Sequence, residues 1–318
     1  MHILNLPKVS ELFSFIERLK AIPRIENSFD EISSVLSKCL DTIEVMLHNL
    51  HPTYRMARIR VNNAVASFDS VKDLSYKPKE LNDTYQRASI PFKTMLYTSS
   101  CERRTTFFEP YTDDDFGIKI ALFETIPELR QNCLSGKGAI NSTDTDLHFR
   151  IMVDPFETKR VTYSIWEVID TISLVRVSPT IAINKESWGS QIVQNYIFDK
   201  SLIKNNTYKY EVRRFYEYLS FEFSRIGSLL PDQYHYMISA ICADTFCKNS
   251  NFDGISFSSA RCDGYGINFA IKPSIVDDNM KCVEVGELEI SSVDRQLVLN
   301  YLSKVKLNGS ENSFAFAQ

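Results

Sequence analysis

The stretch Phe252-Asp-Gly-Ile-Ser-Phe-Ser-Ser-Ala-Arg-Cys-Asp-Gly-Tyr-Gly-Ile-Asn-Phe-Ala-Ile-Lys-Pro273 reads as strand, polar tip and strand within 22 residues. Ile255 and Phe257 alternate with small polar residues, as a half-buried strand does. Ser258, Ser259 and Arg261 break the apolar pattern, Gly264 and Gly266 allow a turn with positive φ, and Phe269-Ala-Ile271 returns as a buried strand. Two hydroxyls and a guanidinium beside a glycine turn can hydrogen-bond a ribose or a phosphate. The plainer reading is a polar hairpin tip of the kind loops commonly make. On a strand through Ile255 and Phe257, Ser259 continues their face, while Ser258 shares the face of Ser256.

Two amphipathic patterns lead into this hairpin. Val212, Phe215, Tyr216, Leu219, Phe223 and Ile226 line one face of a helix over 208–226, and Met237, Ile238, Ile241 and Cys242 mark a second over 232–248. After the hairpin the pattern predicts a strand near 280–285, a short helix near 292–304 and a polar tail from Asn308.

At the other end, residues 1–50 read as helical. Ile32, Val35, Leu36, Cys39, Leu40, Ile43, Met46, Leu47 and Leu50 recur at helical spacing, with Asn27 or Ser28 as cap and Pro52 as stop. This prefix either packs on the rest of the chain or offers a partner a docking surface. Tyr54-Arg-Met-Ala-Arg-Ile-Arg-Val61 is a strand candidate in which Arg58 and Arg60 share a face with Met56, and Arg55, Ala57, Ile59 and Val61 share the other. Two arginines on one strand face are costly to bury without an anion, or else mark a solvated edge. Residues 62–94 are loop-rich and Met95-Leu-Tyr-Thr98 is a short strand. Residues 99–116 look like a surface insertion, and Ile118, Ala121 and Leu122 open a helix that carries Glu124. A polar loop over 132–147 and strands at 148–153, 160–168 and 171–177 complete the middle. Pattern alone therefore gives an α+β chain: a helical prefix (1–52), one domain (53–307) and a polar tail (308–318).

The near-neutral balance, −4, argues against a nucleic-acid partner held by bulk charge. No apolar run reaches the ~18 residues needed to cross a bilayer, and no signal-peptide pattern opens the chain. Seven scattered cysteines without CxxC spacing suit a reducing cytoplasm, and Cys242 and Cys247 read as core of one helix. The five histidines form no HExxH-like set, so no metal is expected. Gly254-Ile-Ser-Phe-Ser258 lacks the closing glycine of a nucleophile elbow, and Gly264-Tyr-Gly266 lacks the third glycine of a dinucleotide fingerprint. Ser135-Gly-Lys-Gly138 lacks the upstream glycine of a P-loop.

Four segments in order resemble the RES-domain family, named for its Arg, Glu and Ser. Ala57-Arg-Ile-Arg-Val-Asn62 resembles its first-strand arginine motif, and Tyr85-Gln-Arg-Ala-Ser-Ile-Pro91 its second arginine. Met95-Leu-Tyr97 resembles its tyrosine strand, and Gly254 to Pro273 its serine hairpin, with Ser259 at the serine. Thr162-Tyr-Ser-Ile-Trp166 also fits a family-like strand, so that the resemblance spans roughly residues 55–295. The resemblance implies an ADP-ribosyltransferase-like mixed β core with flanking helices, and an enzyme that consumes NAD without a metal. Many members are toxins paired with an antitoxin, which implies an antitoxin or regulatory protein as partner; this chain is longer than the compact toxins, and a stand-alone or defence-associated effector is equally open.

On that resemblance Arg58 and Arg87 take the pyrophosphate, Tyr97 contacts a ring or ribose, Ser259 makes a polar contact, and a glutamate stabilises charge on the ribose. Two glutamates compete. Glu109 has the shorter spacing from Tyr97, while Glu124 has the helical context and is the choice adopted; Arg55 and Arg60 are alternates to Arg58. Cleavage of the nicotinamide–ribose bond by water or phosphate is the expected activity. Transfer of ADP-ribose to protein and a non-catalytic interaction module are the alternatives.

Overall fold

The computed structural model describes residues 10–41, 43, 45–62, 68–103, 111–126, 128–129, 153–177, 206–225, 233–248, 251–259, 261–262, 266–308 and 312–316. Glu109, the 132–147 loop, most of the 148–153 strand and the glycine tip at 264 lie outside these residues. The elements in chain order are α1 (Ser10–Ala21), α2 (Phe29–Leu40), β1 (Leu47–Leu50), β2 (Arg55–Val61), β3 (Leu96–Ser100), β4 (Glu102–Arg103), β5 (Tyr111–Thr112) and α3 (Asp114–Thr125). They continue with β6 (Lys159–Val168), β7 (Ile172–Val177), α4 (Asn206–Ser224), α5 (Met237–Lys248), β8 (Gly254–Ser258), β9 (Ile267–Ile271), α6 (Pro273–Asn279), β10 (Met280–Val293) and β11 (Gln296–Lys306). The class is mixed α+β, with both parallel and antiparallel strand pairs. Among the described residues no helix is long and apolar enough to cross a membrane. The chain divides into two compact units, each assembled from three separate stretches.

Unit 1 comprises Met1–Leu50, Lys77–Leu96 and Ile172–Ile275. Its strands run β1-β7-β8-β9. The β7–β8 pair is parallel and the pairs flanking it are antiparallel. Helix α2 buries Ile32, Val35, Leu36 and Cys39, the i, i+3, i+4 stripe read from sequence. It packs on α5, while α1 packs on α4. The prefix helices are thus covered within the unit. Ser28 stands at the N-cap of α2 but its side chain makes no capping bond. Buried Glu222 on α4 accepts from Arg24 at 2.8 Å, neutralising a carboxylate that could not otherwise be enclosed. The predicted helix does not run to Leu50: it ends at Leu40, and Leu47–Leu50 pairs instead with β7. Cross-strand pairing overrides the helical spacing of Met46, Leu47 and Leu50.

Unit 2 comprises His51–Tyr76, Tyr97–Thr171 and Val276–Gln318. Strands β3-β2-β6-β10-β11 pair throughout as antiparallel neighbours. Asp113 caps α3, its carboxylate accepting from the Phe116 N–H at 3.1 Å. The helix expected near 292–304 is a strand. β10 and β11 form a long hairpin closed by Asp294 and Arg295, with φ of 50° and 61°. Both positions of that two-residue turn need positive φ, and Asp-Arg lacks the Asn-Gly signature that would announce it. Gly286 lies under the ring of its ladder partner Tyr163; a Cβ there would stand 2.3 Å from the ring.

Gly254 is fixed by a backbone contact. A Cβ at this position would lie 2.2 Å from the Ala270 carbonyl oxygen in the paired strand β9. Gly254→Ala is expected to lower stability by about 1–3 kcal/mol, read as a lower urea midpoint with an unchanged slope. An unchanged midpoint would show that β8 and β9 are not held this close.

Candidate functional site

Strand β2 has two unlike faces. Its register with β6 aligns Met56 with Trp166, Arg58 with Ser164 and Arg60 with Thr162, and places Ala57 and Ile59 on the other face with Ile165 and Tyr163. The alternation expected from sequence is the one observed. Helix α3 packs on β2 from the Ala57 side: Arg55 pairs with Asp114 at 2.8 Å and Gly117 lies against Cys101. The Arg58 side is polar. Thr162 donates to the Asn62 side chain at 2.7 Å, Asn62 donates to Glu287 at 3.2 Å, and Trp166 donates to Ser164 at 2.9 Å.

Arg58 and Arg60 stand on this polar face. One terminal nitrogen of Arg58, Nη1, donates to the Tyr97 carbonyl at 2.8 Å, and its Nε is buried with no hydrogen-bond partner. Arg60 donates through Nη2 to the Ser75 carbonyl at 3.2 Å, and its Nε is likewise buried without a partner. Among the described residues no carboxylate forms an ion pair with either. Burial, reinforced by the like charge of Arg60, lowers the Arg58 guanidinium to about 9. Burial also lowers Arg60, and Asp73 partly restores it. At neutral pH both remain cations, and each has a donor left over for an anion.

Glu287 is a buried carboxylate of this face, 1% exposed and aligned with Thr162 in the ladder, while Glu289, aligned with Arg160, is exposed. Arg160 at 2.6 Å, Asn62 at 3.2 Å and Ser303 at 3.5 Å already hold it. The sequence reading missed it because β10 was expected to stop near 285. The alternation Leu288, Ile290 was the available signal.

Tyr97 contributes its carbonyl to Arg58. Its own side chain follows the alternation of Ser99, which pairs with Ala57, so it belongs to the α3 side. Glu124 rides on the last turn of α3 and is half-buried. Arg58 and Glu124, expected to serve one ribose-pyrophosphate, are therefore presented from opposite faces of β2.

Arg87 and Ser259 belong to unit 1. The Arg87 guanidinium lies over the rings of Tyr236 and Phe257, at 5.1 Å and 5.8 Å from their centroids, and donates to the Phe223 carbonyl. Ser259 follows β8 directly and its N–H donates to the Gly266 carbonyl at 2.7 Å, so the hairpin pairing continues through it. By alternation it shares the Phe257 face, the side on which Arg87 lies. Ser259 and Arg261, read from sequence as part of a polar tip, are buried, at 1% and 4% exposure. The Ser259 hydroxyl accepts from the Arg261 N–H at 3.3 Å.

Among the described residues no group of three His, Cys, Asp or Glu side chains is arranged to hold a metal ion. Comparison with family models, with curated proteins and with solved structures finds no match for this chain.

A half-buried guanidinium without an ion-pair partner is costly to the fold. Arg58→Met, similar in length and uncharged, is expected to raise the stability of the ligand-free protein by about 1–3 kcal/mol. Chemical denaturation of both proteins measures it. A loss of stability instead would mean that Arg58 serves the fold through its bond to Tyr97.

Proposed function

We propose that this chain is an NAD-degrading enzyme of the RES type, with an ADP-ribosyltransferase-like fold. One observation carries the reading: Arg58 keeps a charged guanidinium on a polar strand face with a buried Nε–H that nothing accepts. A planar cation with several donors suits a pyrophosphate at neutral pH, because a pyrophosphate accepts through several oxygens. Arg60 beside it adds a second donor. The choice of NAD rests on the resemblance of the arginine, tyrosine and serine segments.

In this reading Arg58 anchors the pyrophosphate from unit 2. The nicotinamide–ribose bond breaks with its electron pair leaving on nicotinamide, and positive charge develops on the ribose. A nearby ionised carboxylate stabilises that charge until water or phosphate attacks. The resemblance names Glu124 for this role; α3 presents it from the face of β2 opposite Arg58, so the assignment rests on the resemblance alone. Glu287 shares the arginine face, but its three existing partners mark it as structural. The reading implies a cytoplasmic protein: the described cysteines are all free thiols, the form a reducing compartment maintains.

Purified protein incubated with NAD is expected to release nicotinamide together with free ADP-ribose, or its 1-phosphate when phosphate is supplied. Arg58→Met should lower kcat/KM by about 10–100-fold, the worth of a hydrogen bond to a charged group. Glu124→Gln should abolish release and leave the circular dichroism spectrum unchanged. Activity that survives Glu124→Gln removes the acid from α3. ADP-ribose attached to protein would instead make this a transferase, and absence of turnover would reject the enzyme.

A further inference from the structure

A turn in unit 1 holds an aromatic residue in a conformation that aromatic residues avoid. Ile90-Pro-Phe-Lys93 closes with the Lys93 N–H donating to the Ile90 carbonyl at 3.1 Å. Phe92, at the second central position, has φ of 61°. A turn with Pro first and positive φ second calls for Gly or Asn there, and for a bulky side chain the conformation is strained. Asn82, itself buried, imposes it. Its side-chain amide donates to the carbonyls of Ile90 at 3.1 Å and Lys93 at 2.5 Å, and its own carbonyl accepts from the Phe92 N–H at 2.6 Å. Folding recovers little of this strain by burying the ring, because Phe92 is 65% exposed.

The ring borders a cleft of about 410 Å³ that lies wholly within unit 1. Four lysines line it: Lys79, Lys93, Lys248 and Lys272. Asp244 is the carboxylate among the lining residues, and it is shared by Lys93 at 2.5 Å and Lys248 at 3.3 Å. Lys93 and Lys248 outnumber Asp244, and Lys79 adds a further cation, so the lining carries excess positive charge beside an exposed aromatic face. That combination matches a flat ring joined to phosphates, and the volume falls in the range of small-molecule sites rather than of a nucleic-acid channel.

We propose that this cleft binds a nucleoside diphosphate, its base stacked on Phe92 and its phosphates held by Lys79, Lys93 and Lys248. It uses none of Arg58, Arg87, Tyr97, Glu124 or Ser259, and it stands or falls independently of NAD cleavage.

Calorimetric titration with ADP and with inorganic pyrophosphate tests it, on the full chain and two variants. The unaltered protein should bind ADP more tightly than pyrophosphate. Phe92→Gly should weaken ADP about tenfold or more, to the level of pyrophosphate, and leave pyrophosphate unchanged. The same variant should melt at a higher temperature, because glycine accepts the positive φ. Lys79→Ala combined with Lys248→Ala should weaken both ligands and reduce the salt dependence of binding. The proposal is overturned by an absence of saturable ADP binding, or by ADP affinity that both variants leave intact, since such binding lies elsewhere. A single-stranded RNA oligomer that binds more tightly than ADP with the same dependence on Phe92 would reassign the cleft and also overturn it.

Discussion

Two guanidinium groups stand side by side on one face of β2; among the described residues no carboxylate forms an ion pair with either, and Asp73 acts on Arg60 only from a distance. Arg58 gives one N–H to a backbone carbonyl and has another that is buried with no acceptor. A carbonyl offers a dipole rather than a charge, and a half-buried cation without a counter-charge loses hydration that the fold does not replace. The chain does neutralise enclosed charge elsewhere. Glu222 is met by Arg24 at 2.8 Å and Arg225 at 3.4 Å, and Glu287 by Arg160 at 2.6 Å. Against those solved cases, the β2 arginines are left open to an anion from outside the chain. Perturbed cations of this kind cluster at binding sites.

The arginines of the two units are held by different physics. Arg87 is positioned by two aromatic rings and one carbonyl, contacts that orient a guanidinium while leaving it charged. Arg58 and Arg60 are positioned by strand register, with Ser164 and Thr162 opposite them in the ladder. Register is strict, because a one-residue slip would move both to the α3 face and bring Ala57 and Ile59 to the polar one. The apolar residues that pack under α3 thus also determine where the cations point.

Much of this was legible in the sequence. The alternation of Met56, Arg58 and Arg60 against Ala57 and Ile59 needs only the period of a strand, and the β8–β9 hairpin follows from Ile255, Phe257 and Phe269-Ala-Ile271. Two elements were not legible, for different reasons. β1 carries helical spacing and becomes a strand because β7 supplies a partner from more than a hundred residues away. The β10–β11 hairpin turns on Asp294 and Arg295, which tolerate positive φ without advertising it, and this concealed Glu287. The position of Glu124 was hidden for a third reason. Sequence gives the apolar stripe of α3, but which face of β2 that stripe covers is decided by tertiary contacts such as Arg55 with Asp114.

The account turns on Arg58 as the cation that meets the pyrophosphate, and its lowered value of about 9 supplies the handle. The guanidinium is charged below that pH and loses its proton above it, whereas the pyrophosphate stays ionised throughout. Titration calorimetry of ADP-ribose at pH 8 and pH 10 should therefore show affinity falling about tenfold as pH rises, and the fall should vanish in Arg58→Met. An affinity equal at both pH values, or a fall that Arg58→Met retains in full, would contradict the account.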